Sequence, residues 1–222
     1  MAKNKLKKFS QLEQLPNVIQ PETYELKEDI PLKGNWHNQF FKNNNPIVLE
    51  LGCGKGEYSV ALAERYPEKN FIGIDIKGNR MWVGATDSNQ KKMKNIAFLR
   101  IRIENIIKCF AENEVSEIWI TFPDPQIKRK RKSKRLTHPD FLKKYNNFLK
   151  EDAIINLKTD SAFLYGYTLG VIEGESHELL DCTNDLYNVH QTRENMDIKT
   201  YYEKIYLGKS TPITYTKFRL NY

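Results

Sequence analysis

From residue 47 onward, short apolar runs alternate with stretches in which apolar positions recur every three or four residues. Ile47–Leu51 reads as a buried strand, and 57–66 as an amphipathic helix stopped by Pro67. The same alternation continues with a strand over 70–76, a helix over 80–94, a strand over 96–102 and a short helix over 105–112. A fourth strand over 117–122 is followed by a helix over 139–149, a fifth strand over 153–158 and a helix over 161–173. Strands at 178–181 and 213–219 close the chain. Strand–helix alternation of this kind predicts an α/β fold, a doubly wound and mostly parallel sheet covered on both faces, with a C-terminal antiparallel strand. Ligands in such sheets bind beyond the C-terminal strand ends, where the strand order reverses. Residues 1–45 are rich in Lys, Asn and Pro with weak periodicity. They read as a basic, irregular N-terminal extension, and 46–222 as one domain.

Composition narrows the class. Hydrophobic residues make up 40% of the 222, enough for a substantial core. No run of 18 apolar residues exists, so no membrane span is expected. Lys3, Lys5, Lys7 and Lys8 are followed by no apolar stretch, which speaks against a signal peptide. Cys53, Cys109 and Cys182 are an odd count without CxxC pairing, as in a reduced cytoplasmic protein. His37, His138, His177 and His190 show no metal-ligand spacing, so no metal is expected. Trp36, Trp82 and Trp119 are expected to pack rather than to stack on bases. Neither a monomer nor a homodimer can be read from the chain.

Charge adds a partner. The 35 Lys and Arg exceed the 28 Asp and Glu by seven. Seven of the eight residues from Lys128 to Arg135 are basic, so the whole excess sits in one segment. It directly follows Thr121-Phe122-Pro123-Asp124-Pro125, which reads as a strand end running into a stiff turn. A basic segment beside an acidic residue on a rigid turn suggests a polyanion held next to a chemical site. Most charge runs, however, are solvated loops.

The first strand ends in Glu50-Leu51-Gly52-Cys53-Gly54-Lys55-Gly56 and gives way to a helix. Glycines at 52, 54 and 56 permit a tight turn and close approach to a ligand, and the helix start offers free N–H groups. Asp75 ends the second strand, where a carboxylate grips ribose hydroxyls. The spacing is GxGxG rather than the dinucleotide GxGxxG, and Glu50 precedes the first glycine. A carboxylate there suits a cofactor carrying an ammonium or sulfonium better than a pyrophosphate.

Glu50-x-Gly52-x-Gly54-x-Gly56 resembles the first motif of class I S-adenosylmethionine-dependent methyltransferases, a Rossmann-like fold. Phe122-Pro123-Asp124-Pro125 with the basic run and Arg135-Leu136 resembles the tRNA (guanine-N7)-methyltransferase family. So do Lys158-Thr159-Asp160 and Thr200-Tyr201-Tyr202-Glu203, in the same order along the chain. The resemblance implies S-adenosylmethionine as cofactor, tRNA as partner and 7-methylguanosine as product, with the variable loop as the usual target. It implies cofactor contacts from Glu50, Gly52, Gly54, Gly56, Asp75 and Asp124, with Asp124 catalytic. It implies substrate contacts from Lys128, Asp160, Thr200, Tyr201, Tyr202 and Glu203, and RNA contacts from Lys130, Arg131, Lys132, Ser133, Lys134 and Arg135. The chain departs from the family at Gln126, where Trp is common, and at Arg102-Ile103-Glu104, where an acidic or amide residue commonly ends the third strand. The adenine contact therefore falls to Arg102, to the Ile103 backbone or to Glu104.

Some of these residues have plain structural readings. Asp160 can cap the helix that follows it. Thr200 to Glu203 has the form of a capping box with core aromatics, the weightier reading on sequence alone. A methyltransferase acting on another RNA or a small molecule, and a non-catalytic RNA-binding module, are the competing functions. Clustered bases are of no use for a small substrate, and the intact Glu50, Asp75 and Asp124 speak against a decayed site.

Overall fold

A computed structural model of the chain describes residues 2–21, 26–188, 193, 195 and 197–222, with side chains from residue 7. His190, and the side chains of Lys3 and Lys5, lie outside the described residues. The strands are β1 (Val18–Ile19), β2 (Ile47–Leu51), β3 (Asn70–Ile74), β4 (Ile96–Leu99), β5 (Val115–Thr121), β6 (Leu149–Thr159), β7 (Glu178–Thr183) and β8 (Thr214–Arg219). They form one eight-stranded sheet in the order β1-β4-β3-β2-β5-β6-β8-β7. Neighbours from β1 to β6 run parallel, and β8 is antiparallel to both β6 and β7. β2, β3 and β4 are buried along their whole length, as strands covered on both faces must be.

The helices are α1 (Ala2–Leu12), α2 (Glu57–Arg65), α3 (Gly78–Gln90), α4 (Pro139–Asn146), α5 (Ala162–Gly174) and α6 (Tyr201–Leu207). α2 has Glu57 in its first turn and Arg65 in its last, matching the helix dipole, and ends just before Pro67. α4 opens on Pro139, a residue suited to a first helical position. Two cores flank the sheet. One gathers Trp36, Phe110, Tyr145, Phe148 and Phe218; the other gathers Tyr58, Met81, Phe98, Trp119 and Tyr215.

The largest difference from the sequence reading lies at the N-terminus. Far from being irregular, 1–45 contains α1, the strand β1 paired with β4, and a π turn at Trp36–Phe41. Leu12 and Trp36 are fully buried, and the Trp36 indole N–H donates to the Cys109 carbonyl at 2.9 Å. Leu6, Phe9 and Leu12 recur every three residues, a helical spacing that the surrounding Lys, Asn and Gln residues dilute in the sequence. The segment 105–112 also differs: it is a 3₁₀ turn over Ile103–Lys108, and β4 stops at Leu99. Arg102 is therefore the residue before that turn rather than the end of a strand. Trp36 and Trp119 are packing residues, the latter against Tyr58 and Tyr215.

No helix among the described residues is long and apolar enough to cross a membrane. No cluster of three or more His, Cys, Asp or Glu that could hold a metal is present among them. Cys53, Cys109 and Cys182 are free thiols.

Candidate active site

β2 is flanked by β3 on one side and β5 on the other, so the chain order reverses there. A cleft of about 630 Å³ opens at the C-terminal ends of these strands, lined by the glycine loop, Asp75, the Phe122–Gln126 turn, Asp160 and part of α6. A smaller recess of about 240 Å³ adjoins it, sharing Gly52, Asp75, Ile103 and Lys134.

Glu50 lies at the floor of the cleft and is almost wholly buried. One of its oxygens accepts from the Ser59 N–H at 3.0 Å and the Ser59 hydroxyl at 2.5 Å; the other accepts from the Thr121 hydroxyl at 2.5 Å. Burial pushes its carboxyl up to about 7, although these three donors pull the other way. A carboxylate desolvated this strongly attracts a cation.

Asp75, just past β3, bridges two backbones. Its oxygens accept from the Gly54 N–H at 2.9 Å and the Lys77 N–H at 2.8 Å. Each oxygen keeps a further lone pair for the cleft. The three loop glycines divide their work. All have positive φ, at 77°, 55° and 73° for Gly52, Gly54 and Gly56. A side chain on Gly52 would meet nothing within 4 Å, so that backbone borders open space. A side chain on Gly56 would lie 2.5 Å from the Phe98 ring, so this glycine serves helix–sheet packing rather than a ligand. Gly56 is not among the cleft-lining residues.

Asp124 stands exposed on the opposite lip of the cleft. Its carboxylate accepts from the Gln126 N–H at 3.0 Å, and the turn is bounded by two non-glycine residues of positive φ, Phe122 at 49° and Gln126 at 47°. Such backbone persists only where its surroundings over-determine it. Here the Phe122 N–H donates to the Lys158 carbonyl at 2.8 Å, and the Phe122 ring stacks on Tyr206.

The basic run that follows is an ordered 3₁₀ turn, Arg129–Lys134, with all six residues exposed. Arg135 is separate from them. It is 6% exposed, its guanidinium stacks on Tyr167 and Phe163, and it donates to the Gln126 carbonyl at 3.1 Å. It is the anchor of the turn rather than one of its free charges. Lys134 lines both cleft and recess, whereas Lys128 reaches neither.

The adenine candidates Arg102, Ile103 and Glu104 border the recess, which Ile101, Leu136 and Phe141 make largely apolar. Asp160 lines the cleft but does not cap α5; Ser161 does, its hydroxyl accepting from the Leu164 N–H at 3.2 Å. Burial raises the Asp160 carboxyl above the usual range. Thr200 to Glu203 is a capping box in full. The Glu203 N–H donates to the Thr200 hydroxyl at 3.1 Å and the Thr200 N–H to Glu203 Oε2 at 3.2 Å. Thr200 and Tyr202 line the cleft, whereas Glu203 is fully buried behind them. Tyr201 lies under the Lys55 ammonium, 3.5 Å from the ring centre. The sequence reading missed Lys55, Tyr58, Arg80 and Tyr206, which complete the cleft walls. Only their positions within or after the motifs hinted at this.

The fold is that of known methyltransferases. The crystal structure of the 16S rRNA methyltransferase KamB superposes with a TM-score of 0.64 at 12% identity, covering 89% of this chain and 97% of that one. A 16S rRNA (adenine(1408)-N(1))-methyltransferase from Catenulisporales acidiphilia, solved with its cosubstrate SAM, superposes with a TM-score of 0.61 at 14% identity, covering 89% and 95%. In sequence, residues 44–215 match the family profile described as "Putative methyltransferase". A tRNA (guanine-N(7)-)-methyltransferase of Christiangramia forsetii is 55% identical over 99% of both chains. Its counterpart in Bacteroides thetaiotaomicron is 50% identical over 99% of this chain and 87% of the relative. With the switch-point cleft, the Pro-Asp-Pro turn and the basic turn in the same frame, and identity of this order from end to end, the chain belongs to the tRNA (guanine-N(7)-)-methyltransferase family.

Proposed function

We propose that this protein transfers the methyl group of S-adenosylmethionine to N7 of a guanine in tRNA, most simply one in the variable loop. The observation that carries the reading is the meeting of three features at one cleft. These are a buried carboxylate, Glu50, with Asp75 beside it; a second carboxylate, Asp124, held out on a stiff lip; and an exposed basic turn starting five residues later.

The residues fit the cofactor. Gly52 borders space that a side chain would fill, and the Tyr58 hydroxyl, buried at the cleft, has no hydrogen-bond partner among the described residues. Glu50 suits a cationic group, Asp75 the ribose hydroxyls, and the apolar recess with Ile103 the adenine, flanked by Arg102 and Glu104. Gly52 and Gly54 let the backbone approach. When bound, the cofactor supplies an electrophilic methyl on a sulfonium.

Guanine N7 carries an in-plane lone pair and needs no base to deprotonate it. No Ser–His or Cys–His pair is then required, and alignment supplies most of the rate. Asp124 favours the purine as it gains positive charge, and its rigid turn keeps reorganisation small. Asp160, Thr200 and Tyr202 face the base from the cleft, Tyr201 and Lys128 meet the tRNA outside it, and Lys130, Arg131, Lys132, Ser133 and Lys134 hold phosphates. Clustered bases of this kind have no use for a small-molecule substrate.

Incubation with unmodified tRNA and S-adenosylmethionine, followed by nuclease digestion and mass spectrometry, should yield 7-methylguanosine in a single fragment. Methylation at another base atom, or none with calorimetrically saturated cofactor, would refute the reading.

A further inference from the structure

Two of the family motifs, Lys158-Thr159-Asp160 and Thr200-Tyr201-Tyr202-Glu203, meet inside the protein. Lys158 Nζ lies 2.7 Å from Glu203 Oε1, with the side chains 2% and 0% exposed. The same Glu203 oxygen accepts from the Tyr187 hydroxyl at 2.5 Å, and Oε2 accepts from the Thr200 N–H. Lys158 also donates to the Ile198 carbonyl at 3.4 Å, and its ammonium sits 5.2 Å from the centre of the Tyr58 ring. Both carboxylate oxygens are thus engaged, and neither side chain lines the cleft.

What the pair holds does line it. Lys158 is in β6, two residues before Asp160, and its carbonyl receives the Phe122 N–H at the start of the Asp124 turn. Glu203 is in α6, one residue after Tyr202 and three before Tyr206, both at the cleft. α6 has seven residues, too few to be stable alone in water.

We propose that Lys158 and Glu203 are positioning residues: a buried latch that fastens the short helix α6, and with it Thr200, Tyr202 and Tyr206, onto the strand end that carries Asp124 and Asp160. Glu203 acts through the helix it holds and not by touching the guanine. The proposal rests on the function proposed above for its kinetic readout only.

Breaking a buried pair leaves an uncompensated charge, whereas removing both charges is close to neutral. A double-variant rescue therefore separates a latch from a substrate contact. Glu203→Gln should lower kcat/KM for tRNA at least tenfold, while S-adenosylhomocysteine affinity, read by calorimetry, stays within about threefold. The double variant Lys158→Met/Glu203→Gln should recover at least tenfold of that loss. Hydrogen exchange of amides 200–207 should speed up in the single variant and slow again in the double, which reads the latch without tRNA. If the wild type makes no 7-methylguanosine, the functional reading has failed, and exchange alone decides the latch.

Should Glu203→Gln not fold, the double variant and Tyr187→Phe carry the test. The latter loosens the carboxylate at a residue away from the cleft and should lower kcat/KM several-fold. A folded double variant as inactive as Glu203→Gln, unchanged exchange in the single variant, or unchanged kinetics in Tyr187→Phe would each overturn the proposal.

Discussion

Asp124 illustrates how one side chain is aimed by its neighbours. Prolines on both sides and positive φ at Phe122 and Gln126 leave the turn few alternatives. Asp124→Asn keeps the shape and removes the charge, so single-turnover methylation should slow on the order of a hundredfold with tRNA affinity nearly unchanged. Equal rates would make Asp124 a turn residue alone. Glu50 is a different case, because burial and not backbone sets its chemistry. Desolvation pushes its carboxyl up to about 7 in the folded protein, from 4.5 ordinarily. The stability it contributes is complete below pH 4.5 and is lost as pH rises through 7. Relative to Glu50→Gln, the wild type should lose roughly 3 kcal/mol of unfolding free energy between pH 4.5 and 8, read by denaturant titration. A cation in the cleft pulls the carboxyl back down, so cofactor binding near pH 6.5 should release a proton. Calorimetry in buffers of different ionisation enthalpy measures this, and Glu50→Gln should abolish it.

At the scale of elements, the basic turn is held by a residue that looks like part of it. Arg135 is indistinguishable from its neighbours in the sequence, yet Phe163 and Tyr167 of α5 enclose it. Lys134 faces the cleft, so only Arg129 to Lys132 and Ser133 are free of both cleft and core. Replacing Lys130, Arg131 and Lys132 with Ala should flatten the slope of log affinity against log salt by roughly two to three units, since each phosphate contact contributes about 0.7–0.9. Different tRNAs should be affected alike. An unaltered slope would leave the turn a solvated surface. The glycine loop and the strands around it were legible because each has a local signature: special φ angles for the first, unbroken apolar runs for the second. α6 was legible as a capping box. Its place over the cleft was not, because that depends on contacts with Lys158 and Glu57, far away in the chain.

For the whole molecule, the described residues before 46 are part of the fold. Trp36 is fully buried among Phe40, Phe41 and Phe110. Trp36→Ala should destabilise the protein by about 3–5 kcal/mol in chemical unfolding, as large aromatic truncations in cores do. A loss below about 1 kcal/mol would make the segment a dispensable arm. The sequence by itself determined the alternating elements, the α/β class, the GxGxG loop with Glu50 and Asp75, and the concentration of charge after Asp124. All of these are written in neighbouring residues, through periodicity, backbone freedom and composition. Only the tertiary structure decided that β1 completes the sheet edge, that Gly56 serves packing, that Arg135 and Glu203 are buried, and that Lys158 is the partner of Glu203. Burial and pairing depend on which distant surfaces meet, and no local pattern carries that information.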